Sequence, residues 1–166
     1  MNGEFCRAIY YADGEYGEGI LSRFPIGWAK THPLPFRPGQ EPRVALAALI
    51  EPDNGLPSFV FVGTHLCHQS ETTRVDQAQH LNALFAEDRQ YPVILAGDLN
   101  ARPDSEPITI LKTKGWMDAT APKSVIDFVM IRSQDHWEVV DTVVVDDKVA
   151  SDHPAVLVEL RWRSER

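Results

Sequence analysis

The stretch Val93-Ile-Leu-Ala-Gly-Asp-Leu-Asn100 decides the fold of this chain. Its first five residues are apolar or glycine, which is the pattern of a strand buried on both faces. Where this strand ends, the alternation of an extended chain puts Asp98 and Asn100 on one face and Leu99 on the other. An acid and an amide on one face can hold a water molecule and a phosphate oxygen together. The sequence therefore predicts a buried strand whose end carries reactive groups.

Strand signals dominate the rest of the chain. Short apolar or β-branched runs predict further strands over residues 19–21, 44–51, 58–64, 125–131, 138–145 and 154–160. The turn sequence Pro52-Asp-Asn-Gly55 separates the second of these runs from the third. It predicts an antiparallel hairpin with a longer loop.

Two helices are predicted between the strands. Apolar residues recur at helical spacing over residues 72–86, and a shorter helix is expected between Ser105 and Gly115. Packed sheets with helices outside, an α/β or α+β sandwich, bury such elements best. The proline-rich segment 32–42 is expected to be an ordered surface loop. A length of 166 residues fits one domain covering 1–166.

The composition argues against some classes of binding partner and some kinds of site for this chain. Acidic residues outnumber basic ones by 24 to 16, for a net charge of −8, so strong non-specific binding to nucleic acid is not expected. A bound cation could still recruit a phosphate, which keeps nucleic acid open as a partner. The two cysteines make neither a disulfide framework nor a zinc site. Without an apolar run of membrane length or a signal peptide, a cytoplasmic protein is the default expectation.

Three further segments place polar residues at strand ends. They are Phe61-Val-Gly-Thr-His65, Val125-Ile-Asp-Phe128 and Ala150-Ser-Asp-His-Pro154. The imidazole of His153 can stabilise charge on a phosphoryl oxygen, and Asp127 can orient that imidazole. Taken singly, each segment has an ordinary interpretation as a turn or a loop with local hydrogen bonds. Their joint occurrence in this order indicates a single reactive site.

Five segments follow one another along the chain: Gly19-Ile-Leu-Ser-Arg-Phe-Pro-Ile26, Thr64-His-Leu66, Gly97-Asp-Leu-Asn-Ala-Arg-Pro103, Ile126-Asp-Phe-Val129 and Ser151-Asp-His-Pro154. Together they resemble the ordered motifs of the endonuclease/exonuclease/phosphatase superfamily, whose fold is DNase I-like. The resemblance implies a four-layer α/β sandwich of two mainly antiparallel sheets with helices outside. It also implies Mg²⁺-dependent hydrolysis of phosphodiesters or phosphomonoesters, with Mn²⁺ as a substitute, and leaves the substrate open.

The resemblance assigns roles to individual residues. Asp98 resembles the acid that positions or deprotonates the attacking water, and Asn100 the amide that holds a phosphate oxygen. Asp152 resembles the carboxylate beside the metal, so the implied metal set is Asp98, Asn100 and Asp152. His153 resembles the histidine that stabilises the pentavalent phosphorus, with Asp127 as its carboxylate partner.

Three more residues are candidates for contact with substrate. By the same resemblance His65 touches the phosphate from the end of its strand. Arg74 either binds substrate or tethers its helix to the preceding loop. His68 either reaches the same phosphate or is a solvated loop histidine.

The chain departs from the family pattern at its start. The segment Leu21-Ser-Arg23 comes early, with no strand ending in Asn and no Gln-Glu before it. The resemblance therefore implies a domain incomplete at its N-terminus, without the usual metal-binding Glu unless Glu4 or Glu18 replaces it. A sheet left uncovered would expose apolar surface and favour a homo-oligomer. The alternative to a hydrolase is an impaired remnant of the fold that acts as a binding or oligomerising module.

Overall fold

The computed structural model describes residues 1–145, 147–149 and 151–163. Its strands are β1 (Asn2–Tyr11), β2 (Gly14–Ser22), β3 (Ile26–Pro33), β4 (Val44–Ile50), β5 (Phe59–His65), β6 (Val93–Asp98), β7 (Trp116–Asp118), β8 (Asp127–Arg132), β9 (Trp137–Val145) and β10 (Ala155–Trp162). Its α-helices are α1 (Glu71–Leu81) and α2 (Glu106–Thr113). Residues 150 and 166, which belong to predicted segments, lie outside the described residues.

A six-stranded sheet with the order β3-β4-β5-β6-β8-β7 forms the centre of the fold. Strands β4 and β5 pair antiparallel, which confirms the predicted hairpin. Strands β5 and β6 are parallel neighbours, and α1 lies in the connection between them. Parallel neighbours end at the same edge of a sheet, so the polar ends of β5 and β6 meet.

Both helices cover one face of this sheet. Ser70 caps α1 by accepting a hydrogen bond from the amide of Thr73, and the chain continues in a wider turn over Asn82–Ala86. The predicted helix over 72–86 is thus α-helical only as far as Leu81. The main core lies between the helices and the sheet and includes Val62 and Leu95, both fully buried. No helix among the described residues is long and apolar enough to cross a membrane.

Two separate hairpins cover the opposite face. Strands β1 and β2 form one two-stranded antiparallel sheet, and β9 and β10 form another. The expected four-layer sandwich is therefore wrong in detail for the described residues. They form three layers: helices, one mixed and mainly antiparallel sheet, and a layer divided into two hairpins.

The gap between the hairpins is an apolar groove of about 420 Å³, which we call the interhairpin groove. Its floor is the central sheet, through Phe59, Phe61, Ile94, Ala96 and Val129. Strand β10 forms one wall, and an adjoining cavity that shares Phe59 and Phe61 extends the groove to β2. The two hairpins cover the rest of this face, and the expected oligomer formed through an uncovered sheet stays a prediction.

Strands β1, β3 and β7 were not predicted. Most residues of β1 and β3 are exposed, so these strands lack the apolar runs by which the others are recognised. The proline-rich segment begins inside β3, and the amide of Leu34 donates to the carbonyl of Arg43 at 2.8 Å. Leu34 is buried, so the segment is an ordered loop anchored in the core.

Candidate active site

The register of the central sheet aligns three predicted site residues. His65 is the register partner of Asp98 across β5 and β6, and Asp98 is the register partner of Asp127 across β6 and β8. Register partners on adjacent strands point to the same face of a sheet, and here that face carries the hairpins. We call His65, Asp98 and Asp127 the strand-end row.

The backbone around Asp98 is specialised. Gly97 has φ +148°, and a Cβ placed there would lie 1.8 Å from the carbonyl oxygen of Thr64, so only glycine fits. Asn100 adopts φ +47°, a left-handed conformation that Asn tolerates better than most residues. Its amide N–H donates to Oδ1 of Asp98 at 2.7 Å. This turn fixes the position of the Asp98 carboxylate.

The loop before β10 brings His153 to the strand-end row. Nδ1 of His153 lies 3.0 Å and 3.2 Å from the two carboxylate oxygens of Asp127, and 3.9 Å from Oδ2 of Asp98. The hydrogen bond and charge of Asp127 raise the pKa of His153 above its ordinary value, and Asp98 and Asp152 add to that effect. The predicted pairing of Asp127 with His153 is therefore present in the geometry.

His65 lies on the other side of Asp98. Its Nε2 is 3.4 Å from Oδ2 of Asp98, and its Nδ1 is 3.2 Å from the hydroxyl of Tyr16. Burial lowers the pKa of His65, the positive charge of Arg43 lowers it further, and Asp98 opposes both. Asp98 thus lies between a histidine that favours its charged form and one that favours its neutral form.

Sequence analysis missed Tyr16 and Arg43. Tyr16 lies on β2, which packs its inner face on the central sheet, and Arg43 lies just before β4 and is 4% exposed. Tyr16 lies inside a mostly polar strand and Arg43 precedes its strand, whereas the others were found as polar residues that follow an apolar run. A buried arginine directly before an apolar strand was the available clue, because such residues are rare unless they are paired.

Glu18 also lies on β2, and the charges of the site affect its pKa. Burial raises its pKa to about 7, and the negative charge of Asp98 adds to the rise while Arg43 opposes it. Glu4, the other acid considered as a replacement ligand, is exposed on β1. Of the two acids, Glu18 is the one in electrostatic contact with Asp98.

The remaining candidates lie around the rim. Nη1 of Arg74 donates to the carbonyl of Cys67 at 2.8 Å, the contact expected of a tether, and its role in binding substrate stays a prediction. Nδ1 of His68 lies 3.2 Å from Nη2 of Arg43, so His68 adjoins the site through that arginine. Asp152 is exposed beside His153, and Nδ2 of Asn100 donates to the carbonyl of Leu66 at 3.0 Å.

The donor atoms suit a divalent cation. Ligand atoms of Asp98, Asp127 and His153 all lie within 4.8 Å of one another. Carboxylate oxygens are the ligands that Mg²⁺ and Mn²⁺ prefer. Both oxygens of Asp127 face His153, whereas Asp98 accepts from the amide of Asn100 through Oδ1 and lies 3.4 Å from His65 through Oδ2. The amide oxygen of Asn100 remains as a further donor, because its nitrogen is engaged with Leu66.

Comparison with known proteins identifies the family. A profile of the endonuclease/exonuclease/phosphatase family matches residues 3–153, which is most of the chain. The chain belongs to this family. The match covers three of the strand-end segments and the fourth as far as His153, and so includes the acid, amide and histidine positions of the site. Members of the family typically use divalent metals, which agrees with the carboxylate and histidine cluster.

Three similar proteins show the range of the family. The protein angel of Drosophila melanogaster is 34% identical over 98 residues, covering 52% of this chain and 28% of that protein. The catalytic domain of human Nocturnin, solved with bound sulfate, has a TM-score of 0.79 at 18% identity and covers 98% of this chain and 72% of that one. A mannosyl-6-phosphatase from Bacteroides thetaiotaomicron has a TM-score of 0.67 at 18% identity, covering 96% and 77% respectively.

These relatives extend beyond the matched region. The chain spans little more than a quarter of the fly protein and about three quarters of each solved structure. The structural likeness shows that the fold is shared. It is the DNase I-like α/β fold, represented here by one mixed sheet and two helices.

Proposed function

We propose that this protein is a metal-dependent phosphoesterase in which water attacks phosphorus beside Asp98. The observation that carries the proposal is the position of Asp98, 3.4 Å from His65 and 3.9 Å from a histidine that Asp127 holds at 3.0 Å. An acid that accepts a proton and an imidazolium that stabilises negative charge are the two groups that such a displacement needs.

The roles follow from the contacts. Asp98 is 15% exposed and accepts a hydrogen bond from the amide of Asn100, so it can orient a water and take its proton. His153 is charged more readily than an isolated histidine because Asp127 raises its pKa. A charged His153 stabilises the phosphoryl oxygens as negative charge develops on them. His65 lies on the opposite side of Asp98, with its Nε2 3.4 Å from Oδ2.

A divalent cation completes the proposed site. Mg²⁺, or Mn²⁺ in its place, would be held by Asp98, Asn100 and Asp152, and when bound it would supply charge stabilisation at the phosphoryl oxygens. Glu18 is the acid on β2 that can add a further carboxylate, since its pKa responds to Asp98. Asp127 serves His153 rather than the metal, because both of its oxygens face that ring.

The substrate is proposed to be a small or flexible phosphoester. The net charge of −8 and the acidic site oppose tight binding of polyanions, so nucleic acid is a less favoured substrate. The segment between Asp118 and Asp127 is brief and has no room for a large binding insertion. The mannosyl-6-phosphatase, a structural relative named for a sugar phosphate, supports this class of substrate.

Hydrolysis of model substrates tests the proposal. We expect the protein to cleave p-nitrophenyl phosphate or bis(p-nitrophenyl) phosphate with Mg²⁺ or Mn²⁺ and not with EDTA. A panel of sugar phosphates, inositol phosphates, nucleotides, DNA and RNA then ranks the natural classes. Asp98→Asn should abolish turnover, whereas Asp104→Asn, at an exposed carboxylate in the following loop, should retain it. Turnover that survives EDTA or Asp98→Asn would refute the mechanism.

A second candidate function is self-association, and the interhairpin groove favours it. Strands β2 and β10 each pair on one edge only within the described residues, so both offer free backbone groups beside an apolar floor. Leu21 and Leu157 are 76% and 61% exposed there. A second copy is the occupant we infer, because the chain itself carries exposed two-stranded hairpins that can pair in a symmetric contact.

Light scattering tests this second candidate. We expect a dimer that Leu157→Lys converts to monomer, while Val149→Lys, at a 98% exposed position outside the groove lining, leaves it intact. A concentration-independent monomer would rule out self-association. A dimer that does not cleave phosphoesters would support the alternative of an oligomerising module over the hydrolase.

A further inference from the structure

A line of polar contacts leads from strand β4 across β2 to Asp98. Arg43 lies at its start, with Nη1 3.4 Å from the hydroxyl of Tyr16 and Nη2 3.2 Å from Nδ1 of His68. The Tyr16 hydroxyl lies 3.2 Å from Nδ1 of His65, whose Nε2 is 3.4 Å from Oδ2 of Asp98. Two of these residues, Arg43 and Tyr16, have no role in the proposed mechanism.

The donors and acceptors in this line have one consistent assignment. A guanidinium only donates, so the Tyr16 oxygen accepts from Arg43 and keeps its own proton for a second hydrogen bond. A carboxylate only accepts, so Nε2 of His65 carries a hydrogen toward Asp98. In a neutral imidazole Nδ1 is then an acceptor, and the Tyr16 hydroxyl donates to it.

We propose that Tyr16, held by Arg43, is a positioning residue that fixes the ring and the tautomer of His65 so that Nε2–H is directed at Asp98. This inference depends on the proposed function for its effect on turnover. Nε2 of His65 lies 3.4 Å from Oδ2 of Asp98, while the amide of Asn100 donates to Oδ1 at 2.7 Å. Together the two donors set the plane of the carboxylate that is proposed to receive the proton.

The burial of Arg43 makes it suited to holding Tyr16 and unsuited to binding substrate. It is 4% exposed, and Glu41 balances its charge at 3.1 Å. Its Nε is buried without a hydrogen-bond partner in the described part of the chain, a cost that native proteins rarely bear without compensation. The compensation we assign is the fixed orientation of Tyr16 and, through it, of His65.

Nitrogen NMR on the metal-free protein provides a test that needs no substrate. With ¹⁵N-labelled histidine, His65 should show a protonated Nε2 and an unprotonated Nδ1 whose shift reports an accepted hydrogen bond. Tyr16→Phe should move the Nδ1 signal to the value of a free acceptor. Tyr11→Phe removes a hydroxyl from the same hairpin at a 70% exposed position and should leave the spectrum unchanged.

Kinetic measurements on the same variants provide a second test of the positioning role. Tyr16→Phe should lower kcat about tenfold with little change in KM, the size expected when an orienting hydrogen bond is lost. This loss should disappear in a His65→Ala background, because Tyr16 acts through that ring. Arg43→Lys keeps the charge and should give a smaller change of the same kind.

The NMR and kinetic measurements distinguish failure of the positioning role from failure of the proposed function. A protonated Nδ1 in the wild-type protein, or a His65 spectrum insensitive to Tyr16→Phe, would overturn the positioning role. An additive kinetic loss in the His65→Ala background would overturn it as well. If no phosphoester is cleaved, the proposed function fails, and the NMR result alone still decides whether Tyr16 positions His65.

Discussion

Charged groups lie at both ends of the paired strands β6 and β8, and the two ends differ in how fully those groups are paired. At the end away from the site, Arg132 and Asp135 are 2% and 7% exposed. Arg132 donates to both Asp135 oxygens and to the carbonyls of Phe85, Asp88 and Tyr91. Every polar group of that cluster has a protein partner, so it serves the stability of the fold.

At the opposite end of the strand pair, the strand-end row and the neighbouring His153 have only some of their polar groups paired. The side chains of Asp98, Asp127 and His153 are 15%, 27% and 39% exposed, and two carboxylates lie side by side without an arginine between them. Like charges that remain close and hydrated cost stability and leave lone pairs available to a ligand. The same pair of strands therefore carries a structural ion pair at one end and groups available for chemistry at the other.

Neutralising Asp98 should have the largest effect. We expect Asp98→Asn to lower kcat/KM by about a thousandfold or more, because the base is lost. Stability should stay within about 1 kcal/mol or rise, since repulsion with Asp127 is relieved. Steady-state kinetics and thermal melts measure the two quantities, and His153→Ala should behave similarly. A destabilised Asp98→Asn variant would place Asp98 with the structural cluster.

Removing Arg132 should produce the opposite pattern. Arg132→Met leaves Asp135 buried without its cation and three carbonyls without a donor, so unfolding should become easier by about 3–5 kcal/mol. Activity per folded molecule should be unchanged. Urea titration measures the loss. Arg161→Met is the control, because Arg161 is 64% exposed and its ion pair should contribute little. Equal losses in the two variants would contradict the comparison.

The next largest expected effect is that of Glu18 on the pH dependence of stability. Its pKa of about 7 in the folded protein lies above the value of an unfolded Glu, so folding binds a proton. Its contribution therefore falls as pH rises from about 4.5 through about 7. In EDTA at pH 8, Glu18→Gln should be more stable than wild type by about 2 kcal/mol, and the difference should vanish at low pH.

The exposed Glu4→Gln is the control for this measurement, and it should not change the pH dependence of stability. Urea titrations at several pH values give both curves. A Glu18→Gln variant that follows the wild-type curve would show that Glu18 titrates as an ordinary exposed acid.

The smallest effect concerns Asp127 and the pKa of His153. Because Asp127 raises that pKa, Asp127→Asn should lower it toward the ordinary histidine range. The stability of the pair is present at low pH and is lost as pH rises through the folded pKa of His153. NMR titration of the His153 ring protons measures the shift, with His80, remote from the site, as internal reference. An unchanged His153 titration would remove Asp127 as its partner.

The sequence was most informative where buried strands end in polar residues. The ends of β5 and β6 were predicted from apolar runs followed by His65 and Asp98. Asp127 was expected at the end of a strand and instead begins β8, and the antiparallel register of β6 and β8 places it beside Asp98 in the same row. The pairing of His153 with Asp127 was predicted from chemistry and family pattern, and the contact distance agrees.

Contacts between layers could not be predicted from the sequence. Tyr16 reaches His65 because the β1–β2 hairpin packs across the sheet, an arrangement that no local periodicity encodes. The buried pair of Arg132 and Asp135 was also unpredicted, since a charged residue at the end of a strand normally implies solvent. The layers followed the same rule: seven of the ten strands in the described residues were predicted, and the division of the strands into separate sheets was not.

The β9–β10 hairpin contacts the central sheet through different kinds of residue at its two ends, and apolar residues such as Val158 and Leu160 pack on the sheet between them. Near one end Trp137 packs edge-on against Phe59 at 5.5 Å and against Trp162 at 4.9 Å. At the other end the connection is the contact of His153 with Asp127. Strand β10 lines the interhairpin groove and follows directly on the loop that carries His153. A molecule bound in the groove would therefore contact the same strand that holds His153 beside Asp127.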